Sequence, residues 1–356
     1  MAMDKELLWL QEPVKAIQAD YAEKALRHQN NLTKPPGSLG KLEEIAIQFS
    51  IWQKSLRPSL EKLQIIIFAA DHGIANENVS AFPQAVTAEM VRNFSASGAA
   101  VSVLAAFSDV PLKVLNMGTV SELEALASVE DCRIDPGTKN FLTTQAMTKE
   151  QLAKALDCGK QQVEKASQQA IQLLIAGEMG IANSTSAAAI AAALFDLSAE
   201  QIAGRGTGLD QQGIQHKVNV INAALKLHKD ETKSPLDILQ IFGGFEIAAI
   251  TGFYLRAAQL GIPLLIDGFI ATVAAIVAIK INPKAQEWML FAHCSAEQGH
   301  RVLLDFLQTK PLLNLNLCLG EGSGAAIAIP ILRAACALNN QMATFEQANV
   351  TNKNEG

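Results

Sequence analysis

The chain has 356 residues, 49% of them hydrophobic and 18% charged, enough to bury a large core, and this composition excludes disorder except at the ends. A net charge of −6 offers no basic face for a polyphosphate backbone, so a small-molecule partner is expected rather than nucleic acid. Aromatic residues make up only 5%, and the apolar mass in Ala, Leu and Ile favours helix-covered sheets over β-sandwiches.

The N-terminal stretch places acidic residues early and lacks a continuous apolar core, so it does not read as a secretory signal. Leu7, Leu10, Val14 and Ile17 recur at helical spacing, and residues 1–60 are expected to be helical apart from the turn Lys34-Pro35-Pro36-Gly37-Ser38. Beyond them, short apolar runs end abruptly in Gly or polar residues and lead into helical segments. The first three are 63–70 before Asp71-His72-Gly73, 112–117 before Gly118, and 171–176 before Gly177-Glu178-Met179-Gly180. Three more are 238–242 before Gly243-Gly244-Phe245-Glu246, 262–266 before Asp267-Gly268-Phe269, and 288–292 before His293-Cys294-Ser295.

Unalternating apolar runs joined by helix-length connections predict strands buried on both faces. The expected fold is α/β: a doubly wound, mainly parallel, six-stranded Rossmann-like sheet, with ligands at the carboxyl ends of its strands. Past residue 330 the chain reads as helical again, and the polar tail 347–356 is expected to be mobile. Residues 1–60 and 331–356 are therefore grouped as a small helical domain beside a large α/β domain of 61–330. The five cysteines form no C-x-x-C pair, which points to a reducing, cytoplasmic compartment. No apolar run reaches the roughly 20 residues that a bilayer span requires, so a soluble protein without membrane contact is expected.

Three clusters can carry chemistry. The turn Gly177-Glu178-Met179-Gly180-Ile181-Ala182-Asn183-Ser184-Thr185 enters an Ala/Ile helix, and such a turn aims backbone N–H groups and hydroxyls at the helix start, a seat for phosphate. Spacing alone does not separate this from an N-cap with tight packing. The turn Leu319-Gly320-Glu321-Gly322-Ser323-Gly324 also enters an Ala/Ile helix, yet it lies near the end of the chain with no acidic residue at the dinucleotide offset, which weakens a Rossmann dehydrogenase reading. Glycines on both sides would leave the Glu321 carboxylate unburied, as suits a general base or a solvated loop Glu. The third cluster is Lys217 with His293, Ser295, Glu297 and His300. Lys217 by itself reads as a surface lysine, and one ammonium beside a phosphate adds roughly 1.5–3 kcal/mol. Asp71, His72, His293 and His300 could converge on a metal ion, but no familiar metal-ligand spacing such as H-E-x-x-H is present.

Taken in order, Lys34-Pro35-Pro36-Gly37-Ser38-Leu39-Gly40, Ala70-Asp71-His72-Gly73, the 177–185 turn, Gly243-Gly244-Phe245-Glu246, Leu265-Ile266-Asp267-Gly268-Phe269, the 293–300 segment and the 319–326 turn make the chain similar to a known family over nearly its whole length. It resembles the nicotinate-nucleotide:dimethylbenzimidazole phosphoribosyltransferases of cobalamin biosynthesis. The resemblance implies transfer of the phosphoribosyl group of nicotinate mononucleotide to dimethylbenzimidazole, giving α-ribazole phosphate and nicotinate. It implies a homodimer, Glu321 as proton acceptor and Glu178 in the same pocket. It further implies phosphate and ribose contacts from Gly180, Asn183, Ser184, Lys217 and Ser295, with Gly322, Met179 and Leu319 beside the substrates. The 80–90 segment is implied to line the base pocket, where Phe82 and Met90 stand at positions that hold Ser and Gln in some relatives.

One carboxylate suffices for this reaction, because the pyridine nitrogen of the donor is already cationic and only the acceptor N–H needs a base. Neither metal nor cofactor is demanded. The competing readings are a transferase for another lower-ligand base, a non-catalytic nucleotide-binding protein on the same fold, and a metal-dependent hydrolase built on Asp71 and His72.

Overall fold

The computed structural model describes residues 5–351. Its centre is a six-stranded sheet of β1 (Leu63–Ala70), β2 (Leu112–Gly118), β3 (Val129–Asp131), β4 (Leu173–Met179), β5 (Leu264–Ile266) and β6 (Met289–Phe291). The strand order is β3-β2-β1-β4-β5-β6, and every pairing is parallel. The chain winds outward from β1 to β3 and then returns to place β4 on the other side of β1. That reversal opens a crevice beyond the carboxyl ends of β1 and β4, where doubly wound sheets hold their ligands.

The helices are α1 (Ala19–Asn31), α2 (Lys41–Gln53), α3 (Ala85–Ser95), α4 (Ala100–Phe107), α5 (Lys149–Gln168), α6 (Asn183–Phe195) and α7 (Ala199–Ile202). They continue with α8 (Gln211–Leu227), α9 (Pro235–Phe242), α10 (Phe245–Leu260), α11 (Phe269–Ile281), α12 (Gln298–Phe306), α13 (Ser323–Gln341) and α14 (Phe345–Ala348). Local chemistry sets several of their starts. Thr148 and Gln151 form a capping box on α5, and the Asp210 carboxylate accepts the Gly213 N–H at the start of α8. The helix α10 is buried on nearly all sides, which explains why its sequence has almost no polar face.

Five of the six expected strand runs are strands; the run 238–242 is instead the end of α9. Ser234 caps that helix, Pro235 occupies its first turn and Asp237 follows, a helix-start signature that outweighs an apolar run buried all round. The sixth strand is β3, a three-residue edge strand whose sequence Val-Glu-Asp gives no apolar signal. Glu130 within it is held by Lys113 and Lys165.

The expected helix through Leu7, Leu10, Val14 and Ile17 is also absent. Lys5–Gln11 is a 3-10 turn, and residues 12–18 form neither helix nor strand, because Pro13 removes an N–H and disfavours helical angles at Glu12. Leu10 and Val14 are buried all the same, and the Lys15 N–H donates to Ala258 O at 3.2 Å. The boundary expected at residue 330 falls inside α13, which runs from the 319–326 turn to its contacts with α2. Within the expected mobile tail, Gln347 caps α14 by bonding Thr344, and residues 352–356 lie outside the described residues. The stretch Ala85–Phe107 has the length and hydropathy of a membrane span by composition, but it includes Glu89 and Arg92, and residues 96–99 break it into α3 and α4.

Candidate active site

Glu178 sits one residue before the end of β4, opposite Phe68 of β1, so the crevice between the two strands receives its side chain. The chain then turns sharply, with Ala182 at φ 75, and α6 begins at Asn183, whose Nδ2 donates to Glu178 Oε2. Gly180 has to lack a side chain, since a Cβ there would lie 2.3 Å from Ala70 O and 3.2 Å from the His72 ring. Glu178 is buried, and its pKa is pushed up to about 8 by that burial and by the nearby carboxylates of Glu246, Asp267 and Glu321, against the bond from Asn183.

Glu321 lies across from it on the turn that enters α13. Gly320, Glu321 and Gly322 all have positive φ, at 84, 63 and 79, a conformation unfavourable for the glutamate and sustained only by surrounding contacts. Asp267, just after β5, supplies them: its carboxylate accepts the N–H of Gly322 at 3.1 Å and of Ala325 at 2.8 Å, capping α13. The turn presses on β4 so closely that a Cβ on Gly177 would stand 2.5 Å from Glu321 O, and one on Gly320 would stand 2.4 Å from Glu178 Oε1. The expectation that glycines leave Glu321 open is therefore incorrect. Only 7% of Glu321 is exposed, because the missing side chains admit neighbouring backbone rather than water. Burial, with Asp267 adding, raises its pKa to about 7.

Lys217 is likewise not a surface lysine: it is 1% exposed on α8, and its Nζ donates to Ser184 Oγ at 3.2 Å and to Gly204 O at 3.3 Å. Burial drives its pKa down to about 8 despite the charge of Glu297. Glu297 in turn accepts the Gly206 N–H at 3.0 Å, and a Cβ on Gly206 would come within 2.9 Å of Lys217 Nζ. Ser295 Oγ accepts the Glu297 N–H at 3.2 Å, and its own N–H donates to His300 Nδ1 at 2.8 Å. His300 is held neutral, its pKa pushed down to about 3 by burial and by His293, so its Nε2 carries the proton facing Thr272 Oγ1. The run Gly204-Arg205-Gly206-Thr207-Gly208 was overlooked in the sequence, although glycines at alternate positions just before a capped helix mark such a loop.

The 80–90 segment closes the far side. Ser80 Oγ bonds Thr207 Oγ1 at 2.9 Å, the Ala81 N–H donates to the same oxygen at 3.0 Å, and Thr87 accepts the Ile181 N–H at 3.1 Å. Met90, one helical turn beyond Thr87, is half-buried, as is Met179 beside Glu178. Phe82 and Leu319 are 53% and 58% exposed, an apolar rim. The structure thus interlocks Glu178, Gly180, Asn183, Glu321 and Gly322, couples Ser184 to Lys217, and ties Ser295 and Phe82 in through Glu297 and Ser80, while Met90 follows Thr87 on α3.

The suggested metal set is dispersed. His72 bonds Ser186 and Glu246, His300 is engaged as above, the Asp71 carboxylate accepts the Val120 N–H, and His293 stands 3.7 Å from Asp267. Among the described residues no group of three His, Cys, Asp or Glu is arranged to hold a metal ion.

A family model described as phosphoribosyltransferase matches residues 14–350. The chain is 50% identical over 343 residues to a protein of Xanthomonas campestris pv. campestris (strain B100) named nicotinate-nucleotide–dimethylbenzimidazole phosphoribosyltransferase, covering 96% of this chain and 98% of that one. A protein of the same name from Pseudomonas putida is 49% identical over 345 residues, covering 97% and 98%. The crystal structure of the Thermus thermophilus protein of that name matches with a TM-score of 0.88 at 39% identity, covering 94% of this chain and 100% of that chain.

Proposed function

The chain belongs to the nicotinate-nucleotide–dimethylbenzimidazole phosphoribosyltransferase family, and from that premise we propose how its own residues carry the reaction. It is a pentosyltransferase that moves the phosphoribosyl group of nicotinate mononucleotide to dimethylbenzimidazole, yielding α-ribazole phosphate and nicotinate for the cobalamin nucleotide loop. The bond from the anomeric carbon to the pyridinium nitrogen breaks with its electron pair going to that ring, which leaves as neutral-ring nicotinate without an acid. One benzimidazole nitrogen attacks the same carbon, and the proton on the other nitrogen passes to the Glu321 carboxylate. Attack opposite the leaving group inverts the centre and gives the α linkage.

The observation that carries this assignment is the state of Glu321: a buried carboxyl, poised near neutrality, on a turn locked by Asp267. A base with a pKa near the working pH combines a large deprotonated fraction with a useful driving force for proton transfer, an effect worth about 10² to 10⁴ in rate. Glu178, held mostly protonated, suits a hydrogen bond to a ribose hydroxyl better than it suits full charge stabilisation of the sugar cation. Lys217 of α8 and Ser184 at the start of α6 are the phosphate contacts, with Gly180, Asn183, Ser295 and Gly322 shaping the sugar site. Phe82, Met90, Met179 and Leu319 are the apolar wall for the acceptor.

The deciding experiment is incubation with nicotinate mononucleotide and dimethylbenzimidazole, followed by mass and anomeric analysis. An α-linked ribotide is expected; nicotinate release without it would reject the transfer. Another lower-ligand base is the second reading, favoured by a rim whose Phe82 is half in solvent, and a competition panel of bases ranks the acceptors. Assembly as a homodimer in the cytoplasm belongs to the same proposal, and light scattering checks the dimer.

A further inference from the structure

The crevice has a floor that the transfer itself does not use. His72, two residues past the end of β1, has a fully buried side chain, as does Glu246 in the first turn of α10. His72 Nε2 lies 2.6 Å from Glu246 Oε1, and its Nδ1 lies 2.9 Å from Ser186 Oγ on α6. Two glycines are shaped around this pair. A Cβ on Gly244 would sit 2.2 Å from His72 Cε1 and 2.5 Å from Glu246 Oε2, and one on Gly180 would sit 3.2 Å from the same ring. The imidazole, together with the Ala70 carbonyl that a Cβ on Gly180 would meet at 2.3 Å, is therefore part of the surface on which the Gly180 turn rests, and that turn carries Glu178 and Asn183. The His72 carbonyl also accepts from Gln84 Nε2 at 2.7 Å, which extends the contact to the start of α3.

A buried contact of this kind is poor evidence of stability, since desolvating its polar groups offsets much of their attraction. We propose that His72 and Glu246 are positioning residues for the phosphoribosyl transfer: the pair fixes the Gly180 turn and sets the charge that the Glu178 carboxyl meets. After burial itself, the Glu246 carboxylate is the largest influence raising the pKa of Glu178. The other groups facing Glu178 are Tyr254 from α10, Asp267 beyond β5, Glu321 before α13 and Asn183 from α6; none is a cation. His72 is the basic side chain set against Glu246, its Nε2 2.6 Å from Glu246 Oε1, where a ring N–H can withdraw negative charge from that carboxylate.

The inference rests on Glu178 acting as a protonated carboxyl, so that turnover at saturating donor falls as it ionises at high pH. Glu246→Gln removes a carboxylate from beside Glu178, and the upper limb of the kcat profile is expected to move down by about one pH unit. His72→Gln leaves Glu246 with a weaker donor, and the limb is expected to move up. A contact that only stabilised the fold would lower the melting temperature or kcat without moving the limb, and Glu246→Asp, which keeps the charge, should return the limb towards its wild-type position. If Glu246→Gln does not fold, His72→Gln carries the test alone. Folded variants with an unmoved limb overturn the proposal. In a Glu178→Gln background neither change should shift the profile; if Glu178→Gln itself keeps the upper limb, the reading of Glu178 fails instead, and the two failures are told apart.

Discussion

Replacing Glu321 by Gln keeps the volume of the side chain and removes its capacity to take a proton. In Glu321→Gln, kcat is expected to fall at least about a hundredfold while donor affinity measured by calorimetry is unchanged; near-normal turnover in a folded variant would remove Glu321 from its role. The wild-type enzyme should lose kcat as pH drops below about 7, because the carboxyl whose pKa is raised to that value becomes protonated and cannot serve as base. Lys217 has the opposite sign: its pKa is lowered to about 8, so donor affinity should weaken as pH rises through that value and the ammonium loses its charge. Lys217→Ala should weaken donor binding by about tenfold to about a hundredfold, the equivalent of roughly 1.5–3 kcal/mol for a charge-assisted bond. An unchanged dissociation constant would rule out the phosphate contact. Glu321 was legible from its glycine-flanked turn and Lys217 only through the family resemblance, and the burial of neither was. Lys217 is enclosed by Ser184 and Gly204, and Glu321 by β4 and Asp267, and none of these neighbours is adjacent in the chain.

The contact between α5 and α10 shows how little room separates elements behind the sheet. A Cβ on Gly159 would lie 1.8 Å from Ala249 O, and one on Gly252 would lie 2.2 Å from Leu156 O. In an open helix, Gly→Ala would add about 1 kcal/mol of stability through helix propensity. Here the obstacle is backbone, which cannot rotate aside, and overpacking of this kind costs about 1–3 kcal/mol or more. Gly159→Ala is therefore expected to lower the melting temperature by several degrees in calorimetry, and a rise would contradict the packing. Elements were legible where one strong local signal stood alone, as in the runs of β1 and β2. They were misread where two signals competed. The apolar residues of α9 looked like a strand because full burial erases helical periodicity, and β3 has only three residues, too few to show a pattern.

All three tryptophans are buried, and they bind the N-terminal segment to the sheet domain. Trp52 stacks on Trp288 with ring centres 6.0 Å apart, Trp52 Nε1 donates to Glu287 O at 2.9 Å, and Trp288 Nε1 donates to Lys15 O at 2.9 Å. At the other end Asn339 of α13 accepts from Gln29 at 2.7 Å and donates to Leu56 O at 2.8 Å. Unfolding in urea should therefore show tryptophan fluorescence and far-ultraviolet dichroism changing together; an earlier fluorescence transition would mean that the helical segments undock by themselves. The sequence by itself determined the α/β class, the siting of polar turns at strand ends and the identities of the acids and glycines in those turns, because hydrophobic runs and turn chemistry act over a few residues. Only the tertiary structure decided the strand order, the continuity of α13 across the expected boundary and the shifted protonation of Glu178, Glu321 and Lys217. Those properties depend on which distant segments exclude water from one another, and residue spacing along the chain does not encode that.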